Sequence, residues 1–241
     1  MKALILAAGI GSRLGLEDIP KPMYNINGKP ILEHNILLLQ QHGINDICIT
    51  LHHRKEAIEK YFDDGKKWNV KISYSFEKEL LGTSGALRYA KWFLTNEPFL
   101  VVYGDNYTNI NLTEMMNFHM KTKPIATIAM FDPDVSVNCQ IAGGKINLDQ
   151  NNNLLSFIEG KENNNGGYKG YVNAGIYVLE KEILNFIPEG VSDFGKNIFP
   201  ELLKKEIPMK GYITKSYVIA IDTKEALEIA NKVAKEGVKT P

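Results

Sequence analysis

The chain has 241 residues, 44% of them hydrophobic, enough to bury one large α/β core or two small ones and too many for domain-scale disorder. Lysine plus arginine and aspartate plus glutamate balance at 28 each, which leaves no net field to hold a nucleic-acid backbone or an anionic membrane. Any anion site must therefore be local, and Cys48 and Cys139, without C-x-x-C spacing, read as reduced packing thiols rather than a disulfide or zinc framework.

The chain opens on "KALILAA", an apolar run of buried-strand length that stops at Gly9 without a cleavage site, so it reads as a strand and not an export signal. No apolar run approaches the roughly 20 residues that cross a bilayer, and a cytoplasmic protein with no membrane partner is expected. "ILEHNILLLQQHG" has helical periodicity and a stop at Gly43. The pattern repeats: "DICITL" then "RKEAIEKYF", "VKISYSF" then "SGALRYAKWFL", "PFLVVYGD" then "LTEMMNFHMK". Such alternation implies right-handed crossovers and a mostly parallel sheet with helices on both faces. After Lys121 short strand-like runs dominate ("IATIAM", "GKINLD", "LLSFIE", "YVNAGIYVL"), broken by "DQNNN" and "ENNNGG", which read as exposed turns. "SDFGKNIFPELLKK" reads as a capped helix start followed by a proline-marked helix, "KSYVIAID" as a strand, and "TKEALEIANKVAKEG" as a closing amphipathic helix ended by Gly237. One domain is expected over residues 1–241.

Ligands of open parallel sheets bind outside the carboxyl ends of the strands. Three segments lie there: the loop 9–21, "YGDN" at 103–106 and "IDT" at 221–223. The loop fails the dinucleotide fingerprint, because Leu14 stands at the third glycine position and Gly15 falls one residue late. It also fails the G-x-x-x-x-G-K-[ST] phosphate loop. What remains is a glycine-rich turn whose N–H groups can approach phosphate oxygens, followed by Arg13 and Lys21 as two cationic arms. His52 and His53 have no third partner in the sequence and read as structural or exposed.

"AAGIGSRL", "PKPM" and "NGKPILEH" resemble the N-terminal signature of the sugar-1-phosphate nucleotidyltransferases. "GTSGAL", "GDN", "VNAGIYV" and "DFGKNIFPELL" resemble the later blocks of that family, in family order, over nearly the whole chain. The resemblance implies a Rossmann-like α/β fold with a nucleotide-binding half (1–121) and a smaller β-rich sugar-phosphate-binding half (122–241). It implies a Mg²⁺-dependent reaction in which a sugar 1-phosphate attacks the α-phosphorus of a nucleoside triphosphate (NTP) and pyrophosphate leaves. Arg13 would hold the β- and γ-phosphates and Lys21 would reach the α-phosphate. Leu6, Ala8, Gly9, Gly11, Ser12, Glu77, Gly82 and Thr83 would bind the nucleotide; Gly144, Glu159, Lys161 and Asn173 would bind the sugar phosphate; Asp105 and Asp222 would ligate Mg²⁺.

Two departures from the family pattern stand out. Many relatives carry D-x-G-T before the last helix, whereas "AIDT" moves the aspartate to Asp222, like a version found in some cytidylyltransferases. "EGKE" inserts Gly160 where relatives read E-K-P, which unsettles the register of Lys161. "SFEKELLGTSGAL" resembles the block of mannose-1-phosphate and manno-heptose-1-phosphate guanylyltransferases, and "DIPKPM" the heptose branch, while "GDN" and "IDT" pull toward thymidylyl and cytidylyl branches. GTP is the favoured nucleotide, with Glu77 either reading the base or standing as an exposed carboxylate in a charged stretch. A pyrimidine-specific or phospho-alcohol nucleotidyltransferase, and a regulatory relative that binds nucleotide sugar without turnover, are the alternatives. A homodimer is the assembly left open.

Overall fold

The computed structural model describes residues 1–9, 19–137, 143–159 and 170–236. The elements run β1 (Lys2–Leu6), β2 (Asn25–Ile26), β3 (Lys29–Pro30), α1 (Ile31–Gln41), β4 (Asp46–Leu51), α2 (Lys55–Phe62), β5 (Lys71–Phe76), α3 (Gly82–Tyr89), β6 (Phe99–Tyr103), β7 (Asn106–Thr108) and α4 (Leu112–Thr122). There follow β8 (Ala126–Phe131), β9 (Lys145–Leu148), β10 (Leu154–Ile158), β11 (Tyr171–Leu179), α5 (Phe199–Lys204), β12 (Met209–Thr214), β13 (Val218–Ala220) and α6 (Lys224–Glu236).

Nine strands form one sheet in the order β10-β9-β11-β6-β1-β4-β5, with β8 against β11 and β12 against β8. β6, β1, β4 and β5 are parallel, as are β8 and β12; β11 joins the two parallel groups by antiparallel pairing with β6 and β8. The strands have a side-chain period of two, so the sheet buries both faces. Ala3, Ile5, Ile47 and Ile49 pack with Leu32 and Ile36 of α1 and Met115 of α4. Leu4, Cys48 and Val101 point the other way, against Leu87 of α3 and Phe199 of α5. The expected α/β architecture, a mostly parallel central sheet with helices on both faces, is therefore present. No helix among the described residues is long and apolar enough to cross a membrane.

Local signals set several element ends. α1 stops where Gly43, at φ +75°, lets the N–H groups of His42, Gly43 and Ile44 fold back onto the carbonyls of Leu39 and Gln40. α4 starts at Asn111, whose side chain accepts the Glu114 N–H at 3.2 Å and donates to the Glu114 carboxylate at 2.8 Å. Asp149 accepts the N–H groups of Asn151 and Asn153, so the first asparagine-rich segment is the expected turn. The second, with Cys139 and Gly237, lies outside the described residues. Cys48 is fully buried and its thiol is pushed up to about 12 by burial, in keeping with a packing role.

Three expectations need correction, and one strand goes unannounced in the sequence. Residues 209–214 form β12, which no alternation in "MKGYIT" announces; the parallel pairing with β8 makes it a strand. The strand read in "KSYVIAID" is only three residues long and pairs with β7 in a separate ribbon, so Asp222 does not follow a strand of the central sheet. α3 begins at Gly82 and gives way to a 3₁₀ turn at Ala90–Phe93. Asp193 does not cap its own helix, which opens as a π-turn at Phe194–Ile198; its carboxylate instead accepts the Thr83 N–H at 3.1 Å, in the first turn of α3.

His119, fully buried on α4, binds the Thr127 hydroxyl at 2.8 Å through Nδ1 and the Glu180 carboxylate at 3.3 Å through Nε2. Burial holds its pKa below the ordinary value, against the pull of Glu180. A depressed folded-state pKa gives stability that is full above the ordinary value of 6.5 and lost as pH falls through the folded value. The melting temperature should thus drop more steeply below pH 6.5 in the wild type than in His119→Gln; identical slopes would contradict this role.

Candidate functional site

Lys21 sits in a 3₁₀ turn, Lys21–Met23, with Pro20 before it and Pro22 inside it. The two rings restrict the backbone on both sides and present the lysine from a fixed base. Asp105 follows β6 at a turn. The antiparallel register of β7 with β13 sets Asn106 opposite Ala220, and the Ile221 N–H donates to the Asp105 carbonyl at 3.0 Å. That ribbon places Asp222 beside Asp105. A small core of Tyr24, Ile26, Tyr107, Ile219 and Ile221 then packs the hairpin β2–β3 against the ribbon and brings the Lys21 turn to both carboxylates. Thr223 closes the arrangement by accepting the Ala226 N–H at 3.2 Å at the start of α6.

The Lys21 ammonium donates to Asp105 Oδ2 at 2.5 Å and to Asp222 Oδ1 at 2.7 Å, with only 8% of its side chain exposed. Burial lowers its pKa, yet the two carboxylates more than compensate and hold it above the ordinary value. Two cavities meet at this triad. The first, about 310 Å³, contains every described residue assigned to the nucleotide: Leu6, Ala8, Gly9, Glu77, Gly82 and Thr83, with Lys21 and Asp105. The second, about 290 Å³, contains Gly144, Glu159 and Asn173 with Asp105 and Asp222. Thr83, Tyr103 and Asp105 line both. Gly11, Ser12, Arg13 and Lys161 lie outside the described residues.

Glu77 is 5% exposed, which overturns the alternative of a solvated carboxylate. Oε2 accepts the Leu81 N–H at 3.0 Å, while Oε1 is buried without a hydrogen-bond partner among the described residues. Burial raises its pKa; the Leu81 N–H and the nearby Thr50 hydroxyl oppose that shift. His52 donates from Nδ1 to the Glu77 carbonyl at 2.9 Å, and His53 accepts from Arg54 at 3.1 Å; neither lines either of these two cavities.

In the second cavity Gly144 and Gly195 cradle Glu159: a Cβ at either position would collide with Oε2 and with the Phe157 ring. Partial desolvation raises the Glu159 pKa, opposed by Lys196. Asn173 is committed at both ends, accepting the Gly175 N–H at 3.0 Å and donating to the Tyr177 hydroxyl at 2.8 Å, so each end keeps one further hydrogen-bonding capacity. Lys196, Asp193, Asn106 and Tyr103 line the cavities without a role read for them from sequence, although Tyr103 and Asn106 stand in the "YGDN" segment. The first two stand in the "DFGKNIFPELL" block, which flagged them without a role. Asn106 donates to the Ala174 carbonyl at 2.8 Å and so ties β7 to β11, a tertiary contact with no local signature.

Among the described residues no group of three or more His, Cys, Asp or Glu could hold a metal ion. The two carboxylates nevertheless converge on one small cation, and Mg²⁺ is commonly held by one or two carboxylates completed by substrate phosphates and water. The donor chemistry therefore fits that ion.

The family model described as "Nucleotidyl transferase" matches residues 2–221. The chain belongs to the nucleotidyl transferase family. This nucleotidyltransferase is 34% identical over 233 residues to a D-glycero-alpha-D-manno-heptose 1-phosphate guanylyltransferase of Campylobacter jejuni, covering 93% of this chain and 96% of the relative. It is 35% identical over 222 residues to a UTP--glucose-1-phosphate uridylyltransferase of Synechocystis; that match covers 86% of this chain and 56% of the longer relative. HddC from Yersinia pseudotuberculosis, solved in complex with GMP-PN, superposes with a TM-score of 0.79 at 26% identity, over 96% of this chain and 98% of HddC. The family resemblance read from the motifs thus holds, and the relatives include both purine and pyrimidine nucleotidyltransferases.

Replacing Lys21 by methionine leaves two carboxylates facing each other. The loss should be about 1–3 kcal/mol, below that of a fully buried pair, since Asp105 and Asp222 keep 31% and 36% of their side chains exposed. Asp222→Asn added to Lys21→Met should restore part of it. Urea denaturation of the four proteins measures the coupling, and strictly additive losses would contradict the paired arrangement.

Proposed function

We propose that the protein transfers a nucleotidyl group from an NTP, GTP in the first instance, to a sugar 1-phosphate of the mannose or manno-heptose type, forming an NDP-sugar and pyrophosphate. The observation that carries this reading is the junction of two cavities at one lysine and two aspartates. A reaction that joins two phosphorylated substrates needs a binding wall for each and charge where they meet.

A phosphate oxygen of the sugar 1-phosphate attacks the α-phosphorus. A new O–P bond forms, the bond to the oxygen bridging the α- and β-phosphates breaks, and pyrophosphate takes that electron pair. Lys21 donates to the α-phosphate oxygens, where charge builds, and Arg13 holds the β- and γ-phosphates. Glu159 and Asn173 orient ring hydroxyls and Lys161 neutralises the attacking phosphate; Lys196, on the second cavity's wall, adds a further cation there. A Mg²⁺ ion held by Asp105 and Asp222 with phosphate oxygens would supply further charge neutralisation across the reacting groups.

The choice of GTP rests on Glu77. Guanine offers N1–H and a 2-amino group side by side, and one carboxylate can accept both. Glu77 lines the first cavity; Oε2 keeps a lone pair beyond the Leu81 bond for one of these donors, and a turn of the carboxylate toward the cavity would bring Oε1, buried without a hydrogen-bond partner among the described residues, to the other. The second reading, a pyrimidine triphosphate, is favoured by the same Leu81 bond, since an Oε2 left with one accepting position suits the one N3–H of uracil or thymine.

Pyrophosphate release measured with each triphosphate, Mg²⁺ and a panel of sugar 1-phosphates tests the reading. Turnover with GTP and a manno-configured sugar is expected; release with no pair would contradict catalysis, and release with a pyrimidine triphosphate alone would contradict the base assignment. Glu77→Gln should lose about 1–3 kcal/mol of guanine preference, roughly 5- to 150-fold in the ratio of kcat/KM for GTP to that for dTTP. An unchanged ratio would remove Glu77 from base reading.

A further inference from the structure

Lys21 and the expected metal ion compete for the same carboxylates. In this structure the ammonium is held by Asp105 at 2.5 Å and Asp222 at 2.7 Å, nearly removed from water. A divalent cation brought to those oxygens would meet a positive charge already seated there, and two cations at such spacing repel.

We propose that Lys21 and the metal hold the two carboxylates by turns. In the nucleotide-free protein Lys21 is their resident counter-ion and keeps metal affinity low. An arriving triphosphate offers the ammonium a replacement anion, draws it toward the α-phosphate, and frees the carboxylates for the metal. The inference rests on the proposed reaction, and it adds an order of assembly to it.

Three features support the exchange. The four-carbon stem of lysine lets the ammonium swing while its backbone stays fixed between Pro20 and Pro22. Lys21 already lines the first cavity, beside Gly9 and Thr83, so its new partner would arrive within the same wall. The carboxylates come from a ribbon whose register is set by backbone pairing rather than by the lysine, so they stay adjacent when it leaves. By linkage, metal and triphosphate should each raise the affinity for the other by the same factor.

The test is Mn²⁺ binding to the full chain without nucleotide, followed by electron paramagnetic resonance. The wild type should bind weakly, Lys21→Met at least tenfold more tightly, and Lys21→Arg like the wild type. Adding Asp222→Asn to Lys21→Met should abolish the gain. Should Lys21→Met fail to fold, Lys21→Gln removes the charge while keeping amide donors for the carboxylates, and gives the same comparison. Equal or weaker binding by the uncharged variant, no binding by any of the proteins, or a gain that survives Asp222→Asn would overturn the exchange. The titration uses neither triphosphate nor turnover. Failure of the pyrophosphate assay would count against the proposed reaction, while this comparison still decides the exchange.

Discussion

One ammonium held by two carboxylates organises this molecule's functional face. The partners of Lys21 lie 84 and 201 residues away in sequence, so the triad exists only when the N-terminal turn, the end of β6 and the segment after β13 have all reached their places. Everything needed to bring them together is apolar or backbone-made: the ribbon register, the bond from Ile221 to the Asp105 carbonyl, and the small core beneath the hairpin. Charge then sits where those constraints leave it. Two like charges side by side are unfavourable without a counter-ion, and the lysine supplies one.

From that junction the two cavities differ in chemistry. The first is walled largely by small and apolar groups, with Glu77 as a single buried acid carrying an oxygen that has no hydrogen-bond partner among the described residues, a wall that suits a flat base read at one edge. The second carries Glu159, Asn173, Asp193 and Lys196, a set of donors and acceptors that suits a hydroxylated ring bearing a phosphate. Their separation is maintained by packing. Tyr103 stands edge-on to Tyr177 at 5.7 Å between ring centroids and accepts its hydroxyl hydrogen at 3.2 Å. Asp193, reaching across to the first turn of α3, ties the wall of the second cavity to Thr83 in the first.

The parallel half of the fold was legible because its strands are apolar or alternating runs and its helices carry a periodic apolar face, two of them with a clear stop or cap, at Gly43 and Asn111. β12 and the pairing of β13 with β7 were not, because β12 shows no alternation of its own and the ribbon is a long-range pairing of two three-residue strands that local composition does not specify. The site shows the same division. Residues lying in recognisable blocks, such as Lys21, Asp105 and Gly82, were named in advance, and the fold brings those that it describes to two adjoining walls. The sequence could not tell that Lys21 bridges both aspartates, that Glu77 is buried, or that Asp193 serves a helix other than its own, since each is a long-range contact.

The central claim is that phosphoryl chemistry takes place at the Lys21 junction with one substrate in each cavity. A crystal structure of the protein with a bound GDP-sugar tests it most directly. The account predicts the guanine against Glu77, the sugar beside Glu159, and the diphosphate crossing between the cavities with the Lys21 ammonium on the nucleotide's α-phosphate instead of on both aspartates. A diphosphate bound away from Lys21, Asp105 and Asp222, or a base and sugar sharing one cavity, would contradict it.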